Sequence, residues 1–159
     1  MPEIDKSQGF IKLSFGPKWK YVACVRGFVQ NFLSISIADS KRADKISLAV
    51  SELVENAVKY NARENTNLYV QVSTKNTDEI IVETENHASP DHIAVFKRDI
   101  AKIYEKAPLD AYIEKMKDAV LQTGSTSQLG LARIRCESNC DISFEVKEDN
   151  ILNIKTIFH

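Results

Sequence analysis

The chain has 159 residues, with 21 Lys plus Arg against 22 Asp plus Glu, a formal net charge of −1 and 43% hydrophobic residues. That length and apolar content predict one soluble domain, residues 1–159, burying about 70% of the surface its unfolded chain exposes. The charge balance excludes a nucleic-acid binder held by global electrostatics, which needs a basic surplus, and the longest apolar run, Tyr21 to Val25, falls far short of the roughly 20 residues that span a bilayer.

Met1-Pro2-Glu3-Ile4-Asp5 lacks the basic start and apolar stretch of a secretory signal, so a cytoplasmic location is expected. Phe10 to Phe15 is rich in β-formers and is stopped by Gly16-Pro17. From Lys18 to Leu33, Val22, Val25, Phe28, Val29 and Phe32 recur at three- and four-residue intervals, which predicts an amphipathic helix. A second helix is predicted from about Ser40 to Asn61. Leu68, Val70 and Val72 alternate with polar residues, and after Lys75-Asn76-Thr77-Asp78 comes Ile80-Ile81-Val82, an antiparallel hairpin pattern.

Asp91 to Gln122 returns to helical spacing, broken at Ala107-Pro108 because proline disfavours helical geometry in the residue before it. Ile93, Phe96, Ile100 and Ile103 form one apolar stripe there, and Tyr112, Met116, Ala119 and Val120 another. Such stripes ordinarily pack on their own domain; the functional alternative is a lid or a partner-docking element. Gly124-Ser125-Thr126-Ser127 reads as a hydroxyl-rich loop, and Leu129 to about Ser138 as one more helix. Ile142, Phe144 and Val146 alternate, Lys147-Glu148-Asp149-Asn150 turns, and a last strand runs through Leu152, Ile154, Thr156 and Phe158. The expected fold is an α/β (α+β) two-layer sandwich: a mostly antiparallel five-stranded sheet covered by helices on one face. The three cysteines fit a reducing compartment. Cys136 and Cys140 have no second ligand pair of zinc-site spacing, so all three read as ordinary small residues.

The informative stretch is the second helix. Ile46, Ala49, Val50, Leu53 and Ala57 form an apolar stripe that should face the sheet, and Glu52, Asn56 and Lys59, at i, i+4 and i+7, lie on a line beside it. A carboxylate, a carboxamide and an ammonium so placed can accept a proton, offer an oxygen to a hard cation and neutralise a phosphate. The same spacing also serves a solvated helix face with a favourable Glu-to-Lys arrangement.

Ser51-Glu52-Leu53-Val54-Glu55-Asn56-Ala57-Val58-Lys59-Tyr60 resembles the N box of the GHKL ATP-binding fold, the histidine-kinase-like (Bergerat) fold shared by histidine kinases, gyrase and the small anti-sigma-factor serine kinases. The resemblance implies that Glu52 orients or activates the attacking group, Asn56 binds Mg²⁺ and Lys59 approaches the phosphates of ATP. The opening strand, Gly16-Pro17 and Val25-Arg26-Gly27-Phe28-Val29 resemble the small serine kinases. Gly124-Ser125-Thr126-Ser127-Gln128-Leu129-Gly130-Leu131 resembles the family's second glycine-rich box. By that resemblance Gly124, Ser125, Thr126, Gly130 and Leu131 join the nucleotide site, since backbone N–H groups at a helix start can hold phosphate oxygens.

The chain departs from the family at two places. The usual Asp-x-Gly-x-Gly after the strand that follows the N box is replaced by Val82-Glu83-Thr84-Glu85-Asn86-His87-Ala88-Ser89-Pro90. There Asn86 is the leading occupant of the adenine-binding position and Glu85 the alternative; a carboxamide accepts more weakly than a carboxylate. The family's short lid is replaced by a helical insertion at about 91–123. The resemblance thus implies an ATP- and Mg²⁺-binding regulator in bacterial signal transduction, a serine-protein kinase or anti-sigma-factor-type partner switch. Its partner would be a protein such as an antagonist or sigma factor, with no nucleic acid or membrane and with room for a homodimer. The alternative is a catalytically inactive protein-binding module of the same fold.

Overall fold

A computed structural model describes residues 9–37, 39–63, 68–74, 79–121 and 129–159, with 68–70 as backbone. In chain order the elements are β1 (Phe10–Phe15), a 3-10 turn (Trp19–Tyr21), α1 (Val22–Ser36), α2 (Ser40–Lys59), β2 (Leu68–Thr74), β3 (Ile80–His87), α3 (Pro90–Tyr104), α4 (Pro108–Leu121), α5 (Leu129–Glu137), β4 (Cys140–Lys147) and β5 (Ile151–Phe158). The five strands form one sheet in the order β1-β2-β3-β5-β4, and every neighbouring pair is antiparallel. The two-layer α+β fold read from the sequence is therefore the fold observed, with the sheet wholly antiparallel.

Local chemistry sets the helix starts. Asp39 caps α2 by accepting from Arg42 N–H at 3.1 Å. Ser89 caps α3 by accepting from His92 N–H at 3.1 Å, with Pro90 at the first helical position, where its missing N–H costs nothing. The turn between β4 and β5 holds Asp149 and Asn150 at φ 62° and 56°, a left-handed geometry that Asp and Asn tolerate better than other non-glycine residues.

The core lies between the helices and one face of the sheet. Ile80 and Val82 on β3, Leu152, Ile154 and Phe158 on β5, and Ile142 on β4 are buried there. They meet Val25, Val29 and Leu33 of α1, Ile46, Val50, Leu53 and Val54 of α2, and Phe96, Ile100 and Ile103 of α3. The opposite face carries polar residues, with Lys12, Gln71, Glu83, Lys155 and Ser143 aligned across all five strands. Of the two stripes expected between 91 and 122, Ile93, Phe96, Ile100 and Ile103 are buried, whereas Met116 and Val120 stand 38% and 81% exposed. Helix α4 instead turns Ala111 and Lys115 inward.

Candidate functional site

The C-terminal half of α2, the end of β3 and the start of α5 converge. All five residues of the expected apolar stripe, Ile46, Ala49, Val50, Leu53 and Ala57, are buried, so α2 is fixed in rotation and its neighbouring line reaches the edge of the core. Asn56 lines a narrow cavity, with about 10 Å³ of room for a water-sized sphere, together with Ala57, Tyr60, Asn86, His92, Phe96, Leu131, Leu152 and Ile154. Leu152 lies beside Asn86, and Ile154 beside Thr84, in the β3–β5 register.

Asn86 is buried, on the helix-facing side of β3, because that strand continues beyond Ile80-Ile81-Val82 to His87. Its Nδ2 donates to the His87 carbonyl at 3.3 Å and, at the 3.5 Å limit, to the Tyr60 carbonyl, which leaves Oδ1 as the group able to accept from a ligand. Glu85, the alternative, points to the opposite face and pairs with Lys147 at 2.9 Å. Period-2 alternation thus separates two adjacent candidates.

Glu52 is half-buried and turns toward α5. It lines a different depression, with Lys45, Leu48, Ala49, Ser51, Arg133, Ile134, Glu137 and Ser138. Burial raises its carboxyl pKa, the nearby Glu55 adds to that rise, and Arg133 opposes it. Gly130, in the first turn of α5, lies flat against this carboxylate: a Cβ there would sit 2.7 Å from Glu52 Cγ and Cδ. A side chain at this position would push aside the Glu52 carboxylate, the far end of a flexible side chain, and the glycine's own backbone angle is not left-handed. The expected line is therefore split. Asn56 belongs to the cavity with Asn86 and Leu131, Glu52 to the junction with Gly130, and Lys59 stands exposed with its ammonium 5.1 Å from the Tyr60 ring centre. Gly124, Ser125 and Thr126 lie outside the described residues.

Two side chains at the cavity were not singled out from the sequence. The rings of Tyr60 and His92 stack with centroids 3.9 Å apart and planes within 12°. Tyr60 is the C-cap of α2 and His92 sits in the first turn of α3. The Ser89-Pro90 start signal held the clue, since it sets where the helix begins and hence where His92 falls. Burial lowers the His92 pKa, Asp99 opposes that and Lys59 reinforces it. The segment after α2 is tied to the end of β3 and to the β4–β5 turn: Arg63 forks onto Asp149 at 2.7 and 2.6 Å, Ala62 N–H donates to the His87 carbonyl at 2.7 Å, and Ala88 N–H to the Asn150 carbonyl at 3.0 Å.

Among the described residues no three His, Cys, Asp or Glu side chains gather into a metal cluster, and no helix is long and apolar enough to cross a membrane. Cys24, Cys136 and Cys140 are free thiols, and burial pushes the Cys140 pKa up to about 12.

Residues 15–134 match the family model for the histidine kinase-like ATPase domain. Among solved structures, a chain in the crystal structure of the SiaB–SiaC complex from Pseudomonas aeruginosa superposes with a TM-score of 0.68 at 17% identity, over 93% of this chain and 88% of that one. No curated protein matches.

Proposed function

The chain belongs to the histidine kinase-like ATPase family, and from that premise we propose that it is an ATP- and Mg²⁺-binding regulator acting on a protein partner, as a serine-protein kinase of the anti-sigma-factor, partner-switching kind. The observation that carries this reading is the convergence of Asn56, Asn86 and Leu131 on one cavity, with Glu52 one helical turn from Asn56 and held against Gly130. The SiaB–SiaC structure is that of a complex, which supports a protein as the partner.

The donor set suits the ligand. Mg²⁺ is commonly held by one or two protein oxygens plus phosphates and water rather than by an all-protein cage, and the Asn56 carbonyl is such an oxygen. Lys59, with the N–H groups at the start of α5, meets phosphate charge, helped by Gly124, Ser125, Thr126, Gly130 and Leu131. Asn86 Oδ1 accepts from an adenine amino group. Glu52, made more basic by burial, takes the proton of the attacking serine hydroxyl. Bound magnesium-ATP supplies the phosphoryl group and the neutralising charge; orientation by these side chains supplies the rest. Helices α3 and α4 form the lid, and the Tyr60–His92 stack is the part that must open, because the cavity leaves only about 10 Å³ for a water-sized sphere, far below the size of ordinary ligand pockets.

The same small cavity, and the missing glycines near Asn86, favour a second reading: a protein-binding module of this fold that takes up no nucleotide. A thermal-shift assay with ATP, ADP and Mg²⁺ separates the two. A bound nucleotide raises the midpoint by mass action, and no rise at millimolar nucleotide would sink the kinase reading. Where a rise is seen, Glu52→Ala and Asn56→Ala are expected to abolish phosphoryl transfer to a co-encoded partner. Unchanged transfer in both refutes the roles given to them.

A further inference from the structure

Glu52 faces a roomier hollow than Asn56 does. The cavity at Asn56 leaves about 10 Å³ for a water-sized sphere, whereas the depression at Glu52 leaves about 150 Å³. One wall of that depression is α2 from Lys45 through Leu48 and Ser51 to Glu52, and the other is the second half of α5, where Arg133 and Glu137 stand. Asn56 takes no part in its lining. The carboxylate given the role of base therefore has the nucleotide cavity one turn toward the C-terminus of α2 and an open hollow toward the N-terminus. A group that receives a phosphoryl must come from the side the nucleotide leaves free, because the attacking and leaving oxygens lie in line.

The charges along this hollow are uneven. Arg133 is neutralised by Glu137 at 3.2 Å, and Asp44 accepts from Gln30 Nε2 of α1 at 2.6 Å. Lys45 lines the hollow at the end away from Glu52, and Lys41 stands one turn beyond it. Both are exposed, and neither has an ion-pair partner among the described residues. Between Lys45 and Glu52 lies Leu48, 49% exposed. The order along one face of α2 is thus cation, apolar side chain, carboxylate. Lys45 precedes Glu52 by two helical turns, about 10 Å, a span that an extended chain covers in about three residues.

We propose that this depression seats the serine-bearing segment of the protein substrate in extended form, with an acidic residue about three positions from the accepting serine on Lys45 and an apolar side chain between them on Leu48. The seating rests on the kinase reading for the role of Glu52. The serine oxygen bonds to the γ-phosphorus of ATP as its proton passes to Glu52, and the β–γ bridging oxygen leaves with ADP. Lys45 takes no part in that transfer; it determines which serine arrives.

Peptides with one central serine and Asp, Ala or Lys three positions to either side, titrated into the full chain without nucleotide, test this by amide NMR shifts. The Asp peptide should move the amides of Ser51, Glu52, Ile134 and Ser138 and bind about fivefold tighter than the Lys peptide at low salt. Lys45→Glu should reverse that order, which a merely structural lysine would not do. With Mg²⁺ and ATP present, phosphate incorporation should show the same preference in KM, and the same reversal. No binding of the Asp peptide at millimolar concentration overturns the proposal, as do equal binding of the three peptides and an Asp preference that Lys45→Glu leaves intact. Inorganic phosphate moving the same amides as strongly would make the hollow a simple anion site and overturn it too. A chain that shows the reversible preference but no response to ATP loses the kinase reading and keeps the docking site.

Discussion

Helix α2 turns Ile46, Ala49, Val50, Leu53, Val54 and Ala57 onto the sheet, whereas α4 buries Ala111 and Lys115 and shows Leu109, Ile113, Met116, Val120 and Leu121 to solvent. Both have apolar residues at helical intervals. The difference is in what their neighbours leave uncovered. Helix α2 packs beside α1 and faces β2 and β3 across the core, so its apolar stripe is covered. Helix α4 follows α3 after a short break and is held at that corner by the Lys106–Glu114 ion pair at 2.7 Å, with its small residue Ala111 making the close contact. Lys115, 6% exposed, lines a small cavity there with Ile103, Glu114 and Asp118. A helical period reveals that a face exists; only the packing reveals what lies on it.

The contrast can be broken most directly by truncation. Leu53→Ala, at a side chain 1% exposed, should lower unfolding stability in urea by about 3 kcal/mol through lost burial and a residual cavity. A loss below about 1 kcal/mol would mean that α2 is not the packed element described. Next in size, Gly130→Val displaces the half-buried Glu52 side chain, which can swing aside, and should cost about 1 kcal/mol, with Glu52→Ala in the same chain restoring most of it. Independent, additive losses in that double-mutant cycle would separate the two residues.

A smaller effect comes from His92. Burial holds its folded pKa below the usual 6.5, so the unfolded chain binds that proton more readily than the folded one. Stability is therefore retained above about pH 6.5 and lost as pH falls below it. The urea midpoint should drop on acidification through that window, and drop less in His92→Gln; equal drops would show that His92 titrates as though exposed. Smallest of all, Val120→Ser should change stability by less than about 0.5 kcal/mol. A larger loss would place the outer face of α4 in a packed environment and erase its contrast with α2.

Much of this architecture is legible in the residues. The first strand, Phe10–Phe15, falls where β-formers and Gly16-Pro17 put it, and the stripes of α2 and α3 are buried as their spacing requires. The end of β3 was less legible, because Glu83, Thr84, Glu85 and Asn86 are all polar and give no apolar alternation, although three of them, Glu83, Thr84 and Asn86, are buried. The separation of Glu52 from Asn56 was also hidden. Four residues advance a helix by about 6 Å and turn it by about 40°, enough to bring one side chain to Gly130 and the other to Asn86. The Tyr60–His92 stack joins residues on different helices, and no local pattern encodes such a meeting.

The strand order has a consequence for how the chain reaches this state. Strands β1, β2 and β3 are neighbours in sequence order, but β5 lies between β3 and β4 and pairs residues 80–87 with residues 151–158. The middle of the sheet is thus its latest-arriving part, and three helices separate the two strands that form it. Before β5 arrives, β3 presents an open edge with its buried face uncovered, the state most prone to pairing with another chain. Such distant pairing also slows folding, since the intervening loop must close before the contacts reward it. Hydrogen exchange should therefore find β3 and β5 protected together, as one late-forming unit, rather than strand by strand from the first.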